Sequence, residues 1–495
     1  MQKLFVFIIL ILGSNFSFAQ ATTEPVKPNN AVQKYADLMM TKDALQSAAF
    51  SFYAKDMTTG AIVADYNGQM SIPSASTMKL VTTATATQYL GRGYRFKTKL
   101  MYSGEIDTIS GVLNGDLYII GGGDPTLGSK YYNKQGHARD FLFEWADTIK
   151  SYGILGINGR VIADASKYSY NGVPSGWVWG DLGNYYGAGP SGLTIFDNMC
   201  RLEFATGPNS GDTTKIICTE PYIPGLTISN TVKSADSKKD NAYVYGAPYS
   251  LDWFVQGSIP KGRESFIVKA SIPDPEYITA IEFNQALAES GIPTKYAPTT
   301  MRELNKETVF TKPELKTIHT HSSPTVASIM NLVNQKSVNL FAEHILCEIS
   351  YKKSGYGSTH NGALFCMNYW KSKAGSGLFM TDGSGLSRSN SVSAKFLTNL
   401  LTYMHKKSKS ASKFRESLAL AGKRGTMSGM CKGTSAAGRV YGKSGTMTRC
   451  KSYAGYVDTK TGKKLAYAMI INNHTCSNSQ VRKYFEFLMV KMANY

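Results

Sequence analysis

Pro73-Ser74-Ala75-Ser76-Thr77-Met78-Lys79-Leu80, running on into the Ala- and Thr-rich stretch Val81 to Leu90, decides how this chain is read. The second part carries no charge and predicts a buried helix whose first turn holds Ser76. Ser76 and Lys79 form an S-x-x-K: at i and i+3 on a helix, two side chains share one face within hydrogen-bond reach. A serine hydroxyl is a poor nucleophile near neutrality until an adjacent base takes its proton. A lysine can be that base only if its pKa falls, and burial or a second cation lowers it. A helix start also offers backbone N–H groups and a positive dipole end to developing negative charge.

Two further motifs follow in order: Ser337-Val338-Asn339, an S-x-N, and Lys443-Ser444-Gly445-Thr446, a K-[ST]-G-T. Ser337 can relay a proton towards a leaving amine, and Asn339 can donate and accept hydrogen bonds. Lys443 is the second cation that would lower the pKa of Lys79. With the hydroxyls of Ser444 and Thr446 it also suits a substrate carboxylate. Each motif alone is weak, since Ser258-Ile-Pro-Lys261 repeats the first and Ser169-Tyr170-Asn171 the second in ordinary turn chemistry. The weight lies in the ordered trio and its contexts: a helix start, a junction between two helices, and a position just before a paired strand. Together they predict acyl transfer through a serine ester.

The 495 residues suffice for about three domains, and 42% hydrophobic with 18% charged residues is an ordinary globular balance. That excludes collagen, coiled coil and wholesale disorder. The net charge of +19 points to anionic surroundings such as nucleic acid, an acidic polymer or a membrane surface, or else to a solvated basic face. Met1-Gln-Lys3, the apolar run Leu4 to Leu12 and Ser17-Phe18-Ala19 have the pattern of a secretory signal peptide, expected over residues 1–19. The run is too short to span a bilayer, so an exported chain with no transmembrane anchor is expected, and export argues against a nucleic-acid partner. Peripheral membrane or wall association stays open. Seven cysteines without a CxxC, and histidines such as His319-Thr-His321 without ligand spacing, predict no metal and no cofactor. Cys200–Cys218 and Cys431–Cys450 are candidate disulfides on proximity alone, buried inert thiols being the alternative. Gly121-Gly-Gly123 lacks phosphate-loop spacing and reads as a turn. Asp382-Gly-Ser384-Gly385 reads as a structural loop bordering the cleft, with Ser384 no nucleophile.

Residues 20–32 read as a flexible leader. Phe50 to Ala54 and Ala61 to Ala64 alternate about a turn at Thr58-Thr-Gly60, predicting a hairpin. From about 95 to 316 the chain has short strands and many turns, with helices over Asp140–Tyr152 and Ile278–Ser290, and a polar stretch at 206–265. Helical patterns resume at Thr325–Val333, Leu340–Ile349 and Ala363–Lys373. A hairpin, Ser452–Val457 with Lys464–Ile470, and a helix over Ser479–Met492 close the chain. The first and last parts share one style and the middle has another, so one α/β domain with a long insertion is expected.

The chain resembles the low-molecular-mass class C penicillin-binding proteins, the D-alanyl-D-alanine carboxypeptidase/endopeptidase group of peptidase family S13. The likeness runs from about residue 35 to the end. It rests on the trio, on Gly121-Gly-Gly-Asp-Pro-Thr-Leu127, Gly176-Trp-Val-Trp-Gly-Asp181 and Phe196-Asp-Asn198, and on Asp382-Gly-Ser-Gly-Leu-Ser-Arg388. Ser444 stands where many members have Thr, and Val338 where Asp is commoner. The resemblance implies an α/β (α+β) fold: a β-lactamase/transpeptidase-like serine domain, residues 20–95 and 317–495, interrupted at 96–316 by a mainly-β insertion of one or two domains. It implies Ser76 as nucleophile, Lys79 as general base, Ser337 and Asn339 as second-motif residues, and Lys443 as third-motif cation. Substrate would lie along Ser444, Gly445 and Thr446, with the oxyanion held by the N–H groups of Ser76 and Thr446. The expected substrates are periplasmic peptidoglycan stem peptides, with β-lactams as covalent inhibitors. A pocket for the side chain beside the scissile bond would use Asp181, Tyr186 and Met447, the alternative being that Asp181 caps a turn and Tyr186 packs in a core. Two rival functions remain in view: a β-lactamase on the same scaffold, and a non-catalytic peptidoglycan-binding relative.

Overall fold

The structure is a computed structural model that describes residues 27–307 and 310–495, so the expected signal peptide lies outside the described residues. Its centre is a six-stranded antiparallel sheet in the order Ile62–Tyr66, Ala49–Asp56, Lys464–Asn472, Cys450–Asp458, Val440–Met447, Ala419–Leu420. Strands from the two ends of the chain therefore lie side by side, Phe52 opposite Met469. Lys464–Asn472 is buried on both faces, which is why it reads as an unbroken apolar run. Ala466, Ala468 and Ile470 join one core, and Leu465, Tyr467, Met469 and Ile471 the other.

The first core is filled by the helices Lys79–Tyr89, Val326–Lys336, Asn339–Ser354, Thr359–Ala374 and Ala394–Lys407, through residues such as Val81, Ile329, Phe341, Trp370 and Leu397. Ser358 and Ser393 cap two of these helices by accepting the N–H groups of Asn361 and Phe396. On the opposite face lie Ala31–Met40 and Asn478–Ala493, contributing Val32, Met39, Val481 and Phe485. The leader expected over 20–32 thus gives way to a helix at Ala31, where the Asn30 side chain accepts from Val32 and Gln33. The helix Ala394–Lys407 also went unread in the sequence.

The middle of the chain has its own core, with Trp145, Phe204, Trp253 and Phe283. It is built on a mixed sheet in the order Thr299–Thr300, Val161–Asp164, Leu117–Ile120, Lys97–Tyr102, Lys316–Ser322. The pairing of Lys97–Tyr102 with Lys316–Ser322 brings the chain's entry and exit together. Two three-stranded sheets and a two-stranded one between residues 199 and 271 form its outer part.

Neither candidate disulfide exists: all seven cysteines are free. In the hairpin of Met199–Thr206 with Thr214–Glu220, Cys218 stands opposite Glu203, three positions from Cys200. An odd offset puts the two thiols on opposite faces. Cys431 lies against the Met489 sulfur at 3.8 Å, and the Cys450 thiol donates to Pro73 O at 3.4 Å.

Candidate active site

Ala75–Met78 form one 3-10 turn that passes directly into the helix Lys79–Tyr89. In a 3-10 turn the i and i+3 side chains eclipse, so Ser76 and Lys79 are stacked more directly than on the expected α-helix. The turn is stitched to the central sheet. Ser452 donates to Ser74 O, Thr77 donates to the same oxygen at 2.9 Å, and Asn472 Nδ2 reaches Pro73 O at 2.9 Å.

Lys79 is fully buried, and its Nζ donates to Ser76 Oγ at 3.0 Å, Asn339 Oδ1 at 2.6 Å and Ser384 O at 2.6 Å. Burial pushes its pKa down to about 7, against the opposing pull of Asp382 and Glu343. Burial is the leading cause, as expected in part from the sequence. The like charge is felt at Lys443, where burial, then Lys79, then Lys451 press the ammonium well below the ordinary lysine range.

Ser337 ends the helix Val326–Lys336 in a left-handed conformation at φ +63°, and Asn339 opens the next helix. Such a backbone is uncommon for a residue with a Cβ, and it turns the two side chains towards one centre. Asn339 Nδ2 donates to Tyr186 O at 2.8 Å, which leaves its oxygen for Lys79. Lys443, also fully buried, donates to Ser337 Oγ at 2.8 Å and to Ser444 O at 2.7 Å. It therefore backs Ser337, with two of its three donors engaged. The third motif does not precede a strand but lies within one, Val440–Met447. Alternation in that strand turns Ser444 the other way, towards Thr426 Oγ1 at 2.7 Å. Gly445 permits close approach: a Cβ there would stand 2.6 Å from Ser74 O and 2.9 Å from Ser76 N. Thr446 is thereby carried past the nucleophile turn.

Two buried carboxylates that the sequence analysis gave no role frame this centre. Glu343 accepts from Gly383 N at 2.9 Å and Ser384 N at 2.7 Å. Burial and Asp382 push its pKa up to about 8, while those N–H groups and Lys79 oppose the shift. Asp382 takes four donors, Gly385 N, Ser387 N, Asn390 Nδ2 and Trp177 Nε1, between 2.6 and 2.8 Å. It folds the loop that presents Ser384 O to Lys79 and ties it to the middle of the chain. The available signal was a pair of acids, Glu343 and Glu348, within the mostly apolar stretch Leu340–Ile349.

The cleft has two lobes sharing Ser76, Ser337 and Thr446. One, of about 320 Å3, adds Asp181, Tyr186, Asn339, Met447 and Arg388, so every residue expected for a side-chain pocket borders it. Burial raises the Asp181 pKa, and hydrogen bonding to Tyr186 and the charge of Arg388 lower it. The other lobe, of about 290 Å3, adds Thr426, Ser444, Lys451, Tyr453 and Arg482. A wider groove of about 630 Å3 lies over Thr214–Thr219 and shares no residue with either lobe. Among the described residues no cluster of His, Cys, Asp and Glu could hold a metal ion.

A serine hydrogen-bonded to a buried lysine of lowered pKa, beneath a sheet edge and beside a second serine–lysine pair, defines a class: serine hydrolases that work through an acyl-enzyme. The sequence matches the D-Ala-D-Ala carboxypeptidase 3 (S13) family over residues 32–494, and the chain belongs to that family. It is 25% identical over 452 residues to the D-alanyl-D-alanine carboxypeptidase DacB of Haemophilus influenzae, covering 88% of each chain. It is 26% identical over 493 residues to the D-alanyl-D-alanine carboxypeptidase of an Actinomadura species, covering 94% of this chain and 85% of that one. The crystal structure of penicillin binding protein 4 from H. influenzae superposes with a TM-score of 0.78 at 23% identity, over 93% of this chain and 99% of that one. A second crystal structure of that protein, complexed with a β-lactam, gives 0.74 at 21% identity, over 93% and 98%. The chain is thus a serine-type D-Ala-D-Ala carboxypeptidase, and its fold is the α/β one expected.

Proposed function

We propose that this enzyme cleaves the D-Ala-D-Ala bond of peptidoglycan stem peptides, and D-Ala-diaminopimelate cross-links, through an ester on Ser76. Ser76 Oγ adds to the scissile carbonyl carbon as Lys79 takes its proton. The N–H of Ser76, at the start of a turn and so without an internal acceptor, and the N–H of Thr446 hold the oxyanion. The C–N bond then breaks as the proton held by Lys79 is relayed through Ser337, which Lys443 backs, to the leaving amine, so that Lys79 is neutral again. Asn339 holds Lys79 in place. Water, deprotonated by Lys79, attacks the ester, releases the shortened peptide and restores Ser76. The observation that carries this reading is the fully buried Lys79, its Nζ 3.0 Å from Ser76 Oγ and its pKa near neutrality.

Asp181 and Tyr186 would take the ammonium of a diaminopimelate side chain, Arg388 its carboxylate, and Met447 the stem between them. Residues 96–316 are read as the inserted unit that supplies this pocket; its sheet closes between Lys97–Tyr102 and Lys316–Ser322, which carries the unit's last strand past the expected boundary to Ser322. Action on peptidoglycan supports a location outside the cytoplasm, which we read as the periplasm. No helix among the described residues is long and apolar enough to cross a membrane, which fits peripheral association with the wall or lipid.

Labelling with a fluorescent penicillin tests the reading. A stable adduct on the wild type and none on Ser76→Ala, with D-alanine released from a pentapeptide, is expected. Rapid turnover of the penicilloyl ester would favour a β-lactamase, and no adduct on folded protein a non-catalytic relative.

A further inference from the structure

The lobe that holds Asp181 and Tyr186 continues outward onto a row of aromatic rings. Trp179 and Asp181 share the short helix Trp179–Leu182, which packs on the strand Tyr243–Tyr245. Just beyond that helix, Asn184 Nδ2 donates to Val244 O at 3.2 Å, and Val244 N donates to Asn184 Oδ1 at 3.2 Å. Tyr243 lies near the wall of the lobe, where after burial and Asp181 it helps to push the Tyr186 hydroxyl up. Its strand belongs to a three-stranded sheet with Asp252–Gln256 and Thr227–Asn230. Alternation buries Val244, Trp253 and Val255 in the core of the middle of the chain and turns Tyr243, Tyr245, Phe254 and Gln256 outward.

Trp179 is 55% exposed, Tyr243 49% and Phe254 38%. The rings stand in series, with centroids 6.2 Å apart from Trp179 to Tyr245 and 5.9 Å from Tyr245 to Phe254. So many rings kept in water on one face mark a binding surface. Asp252 is the one charged side chain in the three strands, so they offer no cation to a polyanion. What fits is a neutral polymer with flat apolar faces and a rim of polar groups. The C–H face of a pyranose packs on an aromatic ring, while hydroxyl and acetamido groups need hydrogen bonds at its edge. Gln256 Nε2 donates to the Tyr245 hydroxyl at 2.9 Å, and the amide keeps a second N–H and its oxygen for such groups.

We propose that Trp179, Tyr245 and Phe254, with Gln256, form a track for the sugar strand of peptidoglycan, so that the enzyme prefers stem peptides still attached to glycan over free ones. The inference rests on the reading that Asp181 and Tyr186 seat the stem peptide. The amino end of such a peptide is joined to a sugar, and a peptide held in the lobe carries that sugar towards Trp179.

Two measurements test the track. Co-sedimentation of the Ser76→Ala protein with purified glycan strands stripped of peptide reads it without any turnover. Binding is expected, and Trp179→Ala or Phe254→Ala added to that protein should each weaken it by about fivefold, the loss of one stacked ring. The second is kcat/KM for release of D-alanine from pentapeptides on glycan strands, divided by that for the free pentapeptide. This ratio should exceed one in the otherwise wild-type enzyme and fall by about the same factor in either ring variant. Tyr222→Ser removes an exposed ring over the separate groove at Thr214–Thr219 and should leave both readouts as they are. A ring that serves folding alone would lower turnover of both substrates together and keep their ratio. No binding of bare glycan, with a ratio of one, overturns the track while penicillin labelling of Ser76 stands. A dimer that Trp179→Ala dissociates, again without glycan binding, gives the face to a second copy and overturns the track as well. Glycan binding without any penicillin adduct overturns the peptidase reading and leaves the track. Phe254→Ala serves if Trp179→Ala fails to fold.

Discussion

Lys79 sets how the enzyme responds to pH. With its pKa brought down to about 7, roughly one molecule in eleven carries the neutral amine at pH 6 and roughly ten in eleven at pH 8. The rate constant for acylation by a penicillin should therefore rise about tenfold over those two units and level off above pH 8. A lysine at the ordinary 10.5 would give a different curve: about a hundredfold rise over the same span, still climbing at pH 9. Stopped-flow acylation from pH 5.5 to 9, at constant ionic strength, distinguishes the two. A slope of one decade per unit that persists beyond pH 8, or a flat profile, would refute the assignment of Lys79 as the base. Stability offers an independent reading of the same shift. Because the folded pKa lies below the unfolded one, the unfolded chain binds the extra proton between about pH 7 and 10.5, and the stability contribution of Lys79 rises with pH across that window. Urea unfolding of wild type against Lys79→Met should show the wild type gaining on the variant from pH 7 to pH 9.

Three further outcomes are expected. Asp382→Asn leaves two of four buried donors without an acceptor, at about 1–3 kcal/mol each, so urea unfolding should lose several kcal/mol. Gly385→Ala would set a Cβ 1.9 Å from Ala75 O at a φ of +79°, so a stability loss of at least about 2 kcal/mol and much slower penicillin acylation should appear together. Asp181→Asn should reduce by about tenfold the preference for a peptide whose side chain ends in an ammonium over one lacking it, read as a ratio of kcat/KM values.

What the sequence made legible was whatever short spacing enforces. Ser76 and Lys79 are three residues apart, Ser337 and Asn339 two, and each pair has to share a turn; their convergence followed from the order of the motifs. The unread part depended on distance along the chain. Glu343 meets Gly383 and Ser384 forty residues on, and no local pattern announces that contact. Lys443 looks like a free cation in its tetrapeptide and proves to be sealed under Ser337, because the strand carrying it points it inward. The disulfides failed for a related reason: nearness along a hairpin does not fix register or face, and Cys218 pairs with Glu203. Ala394–Lys407 did carry a signal, a Ser393 cap ahead of Leu397, Leu401 and Met404 at helical spacing.

The adjacency of Ala49–Asp56 and Lys464–Asn472 has a consequence for the birth of the enzyme. Within the sheet, the strand bearing Lys443 joins Ala49–Asp56 through Cys450–Asp458 and Lys464–Asn472, segments synthesised long after Ser76. A nascent chain carrying Ser76 and Lys79 alone has no sheet edge to lay against them. Catalytic competence therefore waits for Lys464–Asn472, made long after the nucleophile turn. Closing so long a loop makes folding slow, and a chain cut before Lys464 lacks the strand that joins the two halves of the sheet.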